Sequence, residues 1–386
     1  MPFSIEALRH RLRALGAGPG HEASVLRHWL QAKPQLPRSP REAILPAPLR
    51  AALPAIEAEL ASLARVRSAH PAEDGAERLL VQLADGETIE SVLLPPTEGR
   101  GPGGPMGGLC VSTQVGCAVG CGFCMTGQGG LRRHLTSAEI AAQLALARAR
   151  RAVRKVVFMG MGEPAHNLDA VLEAIEAMGT AGGIGHKELV FSTVGDPRAF
   201  DRLDAIPPGR VRPALALSLH STNAARRAEL LPRAPQLEPQ VLVDRACAYA
   251  DASGYPLQVQ WTLIEGVNDG DDELDGLVRL LAGRRVVLNL IPYNAVPGLA
   301  FARPPAERAA ELARRLHRAG VLTKLRRSAG QDVDAGCGQL RARSDVVRIA
   351  RTARQAAAAH PGRQDGLARP VHEAAADSQR GGARYQ

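Results

Sequence analysis

Long hydrophobic runs are missing from this chain of 386 residues. No stretch approaches the roughly twenty apolar residues a membrane-spanning helix requires, so a spanning segment is excluded. The N-terminal MPFSIEALRHRLRALG alternates charged and apolar residues. It lacks the apolar centre of a secretion signal, and the expected location is cytoplasmic. Cysteine is scarce at six residues, and four of them fall in CVSTQVGCAVGCGFC. In a reducing compartment such clustered thiols point to metal ligands or catalysts, not to a disulfide framework. Acidic residues are outnumbered, 39 against 48 lysines and arginines, for a net charge of +9. Arginine forks match phosphate, which makes RNA or DNA a natural partner. An arginine- and alanine-rich composition also follows from a high-GC genome, so charge alone leaves both readings open.

What is present falls into segments. Residues 1–68 read as a small helical accessory domain, with IEALRHRLRAL, EASVLRHWLQ and PLRAALPAIEAELASLARV separated by GAGPG and PQLPRSP. At 77–95, two alternating runs flank Asp85-Gly86, the signature of a β-hairpin. After the Gly/Pro-rich TEGRGPGGPMGG the pattern changes. The apolar runs LCVSTQV, KVVFMGMG, ELVFST, RPALALSLH, PLQVQWTLI, RVVLNLIPYN and VLTKLRR alternate with amphipathic helices such as NLDAVLEAIEAM and DDELDGLVRLLAG. This alternation predicts an α/β fold whose core, 109–345, is a partial or full (β/α) barrel, with a doubly wound open sheet as the other arrangement. Both place the active site at the C-terminal ends of the strands. Residues 350–386 show no apolar periodicity and read as a mobile tail.

Cys117, Cys121 and Cys124 form C-x3-C-x2-C in a Gly-rich loop at the end of the first predicted strand. A structural zinc or a passive four-iron cluster usually takes four protein ligands; three leave one iron open. The competing reading is a structural zinc completed by Cys110 or a remote histidine. Gly162 and Glu163 in VVFMGMGEP, Ser192 in FSTVG, Ser218, Leu219 and His220 in ALSLHST, and Asn294 in IPYNAVPG fall at successive strand ends. Each alone is an ordinary cap or turn residue. Together they would line one pocket, where a carboxylate can hold an ammonium group. Cys247, Trp29 and Trp261 read as packing. Arg132, Arg133, His134 and the run ARARRAVRK either reach RNA phosphates or form solvated faces.

The C-x3-C-x-F-C loop resembles the signature of the radical S-adenosylmethionine enzymes. The longer set LCVSTQVGCAVGCGFCMTGQGGLRRHLTSAEI, VVFMGMGEPAHNLDAV, ALALSLHSTNAARRAELLP, NLIPYNAVPG and GQDVDAGCGQL resembles the RlmN/Cfr family of radical S-adenosylmethionine RNA-adenosine methyltransferases. That resemblance implies a 4Fe-4S cluster on Cys117, Cys121 and Cys124 and two molecules of S-adenosylmethionine per turnover. It also implies a flavodoxin-type electron donor and ribosomal or transfer RNA as substrate. Outside the cluster it implies two catalytic thiols. Cys337 would be methylated, lose a hydrogen atom from that methyl and add to carbon 2 of an adenine, with carbon 8 as the sister possibility. Glu90 would take the ring proton. Cys110 would then attack the Cys337 sulfur, releasing methylated RNA and leaving a disulfide. Two stretches depart from the family pattern: STVGDPRAF replaces a serine-rich turn, and TEGRGPGGPMGG replaces a compact charged segment. Both lie outside the cysteine motifs and bear on the choice of RNA.

Overall fold

Three helices open the chain: α1 (Ile5–Ala14), α2 (Pro19–Leu30) and α3 (Ala47–Ser62). Ser4 caps α1 by accepting from the Ala7 N–H, and Ile5, Leu8 and Leu12 form its buried stripe. The structure is a computed structural model, and it describes residues 3–35, 45–96, 107–296, 298–326 and 329–330. Cys337 and the segment 350–386 lie outside the described residues. The span read as helical to residue 68 ends earlier, because β1 (Ala64–Pro71) begins inside it. Its alternating ARVRSAH pairs antiparallel with β2 (Glu77–Leu83), which pairs with β3 (Thr88–Leu93) across a turn where Gly86 has φ +86°. A positive φ there is what the Asp-Gly pair supplies.

The hairpin belongs to the main sheet. β3 runs antiparallel to β4 (Gly107–Cys110), with Val92 opposite Cys110. The predicted strand LCVSTQV divides, since β4 stops at Cys110 and β5 (Gln114–Gly116) pairs separately with β6 (Leu131–His134). The cysteine loop therefore hangs from a small ribbon and not from the end of a barrel strand. Beyond α4 (Met125–Gln128) and α5 (Ser137–Arg148), strands and helices alternate as the sequence predicts. They are β7 (Val153–Phe158), α6 (Leu168–Gly179), β8 (Leu189–Thr193), α7 (Pro197–Asp204), β9 (Ala214–Ser218), α8 (Ala224–Leu230) and α9 (Pro239–Ser253). β10 (Leu257–Leu263), α10 (Asp271–Leu281), β11 (Val286–Pro292), α11 (Ala306–Arg318) and β12 (Thr323–Leu325) complete the series.

The sheet runs β1-β2-β3-β4-β7-β8-β9-β10-β11-β12, and every neighbouring pair from β4 onward is parallel. Phe158, Phe191 and Leu217 face the helices in the main core, while Cys110, Val157, Val190, Ala214 and Ala216 form a separate inner cluster. This is the alternation of a sheet with a helical layer outside and a lumen inside. The curl is visible electrostatically. Lys155 on β7 is held below the usual lysine range mainly by burial, and also by Arg326 and by Lys324 on β12, with four strands between them in the sheet. Such proximity requires the sheet to close round on itself as a partial barrel. After β12, the Gly330 N–H donates to the Asp74 carboxylate at 2.9 Å, tying the chain back to the β1–β2 turn.

Candidate active site

The cysteine loop is fastened at its base and along its side. The Cys117 N–H donates to the Gly130 carbonyl at 3.0 Å beside the β5–β6 ribbon, and the Cys124 N–H turns back to the Cys121 carbonyl at 3.0 Å. From the side, the Leu230 carbonyl at the end of α8 accepts from the Gly122 N–H at 3.0 Å, and Arg233 donates to the Ala118 carbonyl at 3.2 Å. The tight turn depends on small residues. A Cβ at Gly127 would lie 3.0 Å from the Cys121 nitrogen. Burial pushes the Cys117 thiol up to about 12, and Cys121 is pushed well up by burial and by Cys124, Cys117 and Glu163 nearby. Without a metal these thiols keep their protons, and a metal must displace them.

The three cysteines border a cavity of about 290 Å³ at the C-terminal ends of the strands, lined also by Gly162, Glu163, Ser192, Ser218, His220 and Asn294. Six of the seven residues read from strand ends are therefore in one place. Leu219 is the exception. Its side chain is fully buried in the main core, and its N–H continues the β9–β10 ladder to the Gln260 carbonyl at 3.1 Å. Strand alternation between Ser218 and His220 sends it to the helical side.

Gly162 has φ +103°, and a Cβ there would sit 2.7 Å from the Gln114 side chain. Only glycine lets Gln114 accept the Glu163 N–H at 2.8 Å. The Glu163 carboxylate accepts from the Ala165 and Val194 N–H groups, both at 3.1 Å. Burial outweighs these bonds and raises it to about 7. His220 sits in the left-handed region at φ +61°. Its Nδ1 accepts from the Thr262 N–H at 2.9 Å, Asn268 donates to its carbonyl at 2.7 Å, and the ring meets Phe123 edge-on at 4.9 Å. Burial, assisted by Arg227, lowers it to about 3. The imidazole is thus neutral, and with Nδ1 accepting, Nε2 carries the hydrogen on this cavity-lining ring.

A second focus lies in the barrel lumen. Cys110 ends β4 on the inner face, and Met159 belongs both to its apolar cluster and to the cavity wall. Glu90 is buried on β3, two residues before the Val92 that pairs with Cys110, and its charge adds to the burial that pushes the Cys110 thiol up to about 12. The two predicted groups are brought together.

Gln143, which sequence reasoning overlooked, fixes this pair. Fully buried on α5, it accepts at Oε1 from the Ser91 hydroxyl and the Ser112 N–H, both at 2.8 Å, and donates to the Ser112 carbonyl at 2.8 Å. The Ser112 hydroxyl in turn donates to the Glu90 carbonyl at 2.6 Å. A glutamine within the apolar SAEIAAQLALAR was the available signal. Gln143→Leu leaves the Ser91 hydroxyl and both Ser112 main-chain groups without this partner, and should lower unfolding free energy by about 2–4 kcal/mol in a denaturant titration.

Most residues of the basic run are paired, while Arg154 is exposed. Arg133 pairs with Glu139 and Asp85, Arg132 with Glu87 and Arg150 with Glu77, while Arg148 and Arg151 donate to main-chain carbonyls. These cations join the hairpin, ribbon and barrel. His134 Nδ1 meets the Gln114 amide at 2.9 Å. Cys247 packs half-buried against the core from α9, as the sequence suggests, and Trp29 and Trp261 are buried.

Comparison with known proteins matches residues 111–280 to the Radical SAM superfamily. A protein of Methylibium petroleiphilum named probable RNA methyltransferase is 71% identical over 340 residues, covering 88% of this chain and 93% of its own. One of the same name from Aromatoleum aromaticum is 66% identical, covering 88% and 92%. Among solved structures, a radical SAM methyltransferase from Sphaerobacter thermophilus is 33% identical with a TM-score of 0.72, covering 87% of this chain and 97% of its own.

Proposed function

This chain belongs to the radical SAM superfamily and, within it, to a family of probable RNA methyltransferases, and from that premise we propose that it methylates carbon 2 of an adenosine in ribosomal or transfer RNA, in the manner of RlmN and Cfr, through a methylated Cys337. The observation that carries this reading is Cys110. It is a thiol on the lumen face of β4, beside a buried carboxylate and apart from the cysteine loop, so holding a cluster gives it no work. The superfamily carries a 4Fe-4S cluster and S-adenosylmethionine, and the site fits them: three half-buried thiols border a cavity whose wall holds a carboxylate able to meet an ammonium group. When bound, they supply hydrogen-atom abstraction, which an unactivated methyl thioether requires.

The chain's own residues do the rest. Cys117, Cys121 and Cys124 would hold the cluster, and Glu163 would receive the amino group of S-adenosylmethionine. The His220 Nε2–H donates to its polar atoms, and Gly162 allows close approach. Cys337 takes a methyl group from S-adenosylmethionine and later bonds through that carbon to the base. Glu90, buried in the lumen, accepts the ring proton. Cys110 would then give up its proton and form a bond to the Cys337 sulfur as the sulfur–carbon bond breaks, and the released carbon would take up a proton to become the methyl group of the freed base. At neutral pH the buried Cys110 thiol keeps its proton, which holds it back until the adduct exists. The cycle needs an electron donor, which we take to be of flavodoxin type, and a reductant for the Cys110–Cys337 disulfide.

Peptide mass spectrometry of protein incubated anaerobically with S-adenosylmethionine tests the scheme. One methyl group on Cys337 is expected, and its absence from fully iron-loaded protein overturns the thioether route. Glu163 gives a second test. Its carboxyl, raised to about 7, must lose its proton to meet the ammonium group. Affinity for S-adenosylmethionine should therefore rise with pH, by at most about tenfold per unit below 7, and level off above it. Equilibrium dialysis between about pH 5.5 and 7.5 would show the slope, and Glu163→Gln should flatten it.

A further inference from the structure

Among the described residues, Arg227 is a buried cation with no ion-pair partner. It sits on α8 at 1% exposure, and among the described residues its terminal nitrogens meet only main-chain oxygens. Nη2 donates to the Val194 carbonyl and lies 3.5 Å from that of Ser218, and Nη1 lies 3.5 Å from that of Pro235. Nε is buried and has no hydrogen-bond partner among the described residues. The neighbouring Arg226, by contrast, pairs with Asp272 at 2.9 Å and Glu273 at 2.6 Å, and the Glu163 carboxylate accepts from the Ala165 and Val194 N–H groups. A guanidinium taken out of water without an opposite charge is unfavourable, so its charge calls for a countercharge.

The groups whose charge reaches Arg227 are Cys121 and Glu163, while burial lowers it to about 10. Its distance from the loop is fixed by the backbone. The Arg227 carbonyl accepts from the Leu231 N–H at 2.8 Å, and the adjacent Leu230 carbonyl accepts from the Gly122 N–H, next to Cys121. Arg227 is not part of the cavity wall; it lies behind Val194 and Ser218, which are. A ligand-binding arginine would reach the cavity, whereas a charge set behind the wall acts through the field.

We infer that Arg227 is the fixed countercharge of the cluster-binding loop, unbalanced in the metal-free protein and stabilising the more negative, reduced form of a cluster held by Cys117, Cys121 and Cys124. Net charge and burial around a cluster set its reduction potential, and a buried cation raises it. This rests on the three cysteines being cluster ligands, and iron analysis separates the two claims.

The test compares reconstituted wild-type protein with Arg227→Met and Arg227→Lys. After iron is assayed, each is titrated by electron paramagnetic resonance at controlled potential. In Arg227→Met the ratio of reduced to oxidised cluster at a fixed potential should fall about tenfold, equivalent to ~59 mV for one electron. Arg227→Lys, which keeps the charge but loses the fork, should stay within about threefold of wild type. In the metal-free state Arg227→Met should unfold at no lower denaturant concentration than wild type, because an unbalanced charge has been removed. An unchanged ratio in iron-loaded Arg227→Met overturns the inference. So does an equal shift in both variants, or a metal-free Arg227→Met that is destabilised or does not fold. Wild-type protein that takes up no iron overturns the ligand assignment and the inference with it.

Discussion

Cys110→Ala should stop turnover, by ~10³-fold or more, without emptying the active site. Iron content and S-adenosylmethionine binding should match wild type, because Cys110 lies on β4 and touches neither the cysteine loop nor Glu163's hydrogen-bond partners. The replacement is close in size and sits in an apolar cluster of Val157, Val190, Ala214 and Ala216, so the fold should survive. What should appear is RNA joined covalently to the protein. The thiol that would free the base is gone, while Cys337 and Glu90 still act. Labelled RNA migrating with the protein on a denaturing gel, and removable by nuclease, is the expected signal. Wild-type turnover in Cys110→Ala would remove the two-thiol scheme.

Cys121→Ala should have the larger effect on cofactor and the smaller one on the chain. Burial and the nearby Cys124, Cys117 and Glu163 all push the Cys121 thiol up, so it sits among the other members of the ligand set. Losing it should strip most of the iron and lower activity by ~10⁴-fold or more. The loop itself is held by Gly130, Leu230 and Arg233 through the backbone, so thermal unfolding of the metal-free protein should change little. Cys247→Ala provides the contrast: on α9, away from the cavity, it should leave iron content and activity within about twofold of wild type. Iron retained in Cys121→Ala would exclude it as a ligand.

The parts of the molecule that sequence reveals are those governed by local chemistry. Parallel strands buried on both sides read as continuous apolar runs, and Asp85-Gly86 marks its turn because a positive φ is needed there. The strand-end residues of the cavity follow from that periodicity, and Leu219 fails for the same reason, since one step along a strand reverses the face. β1 was hidden because ARVRSAH, at the sheet edge, carries half-exposed polar residues and follows a helix directly. The break inside LCVSTQV was hidden because its cause is distant. Ser112 leaves the strand to meet Gln143 and Glu90, 31 and 22 positions away. Arg227 belongs with these. In sequence it is one arginine among many, and only burial beside the cysteine loop separates it from Arg226, which pairs at the surface. The same holds for Arg132, Arg133 and Arg150, whose acidic partners on the hairpin tie these basic residues down in partly exposed pairs.

The measurement that bears most directly on the central claim is nucleoside mass spectrometry of separated ribosomal and transfer RNA from cells with and without this gene. Loss of 2-methyladenosine from at least one fraction is the predicted result, and that fraction names the substrate. No change in 2-methyladenosine in either fraction would contradict the assignment of carbon 2 of adenosine as the site of methylation.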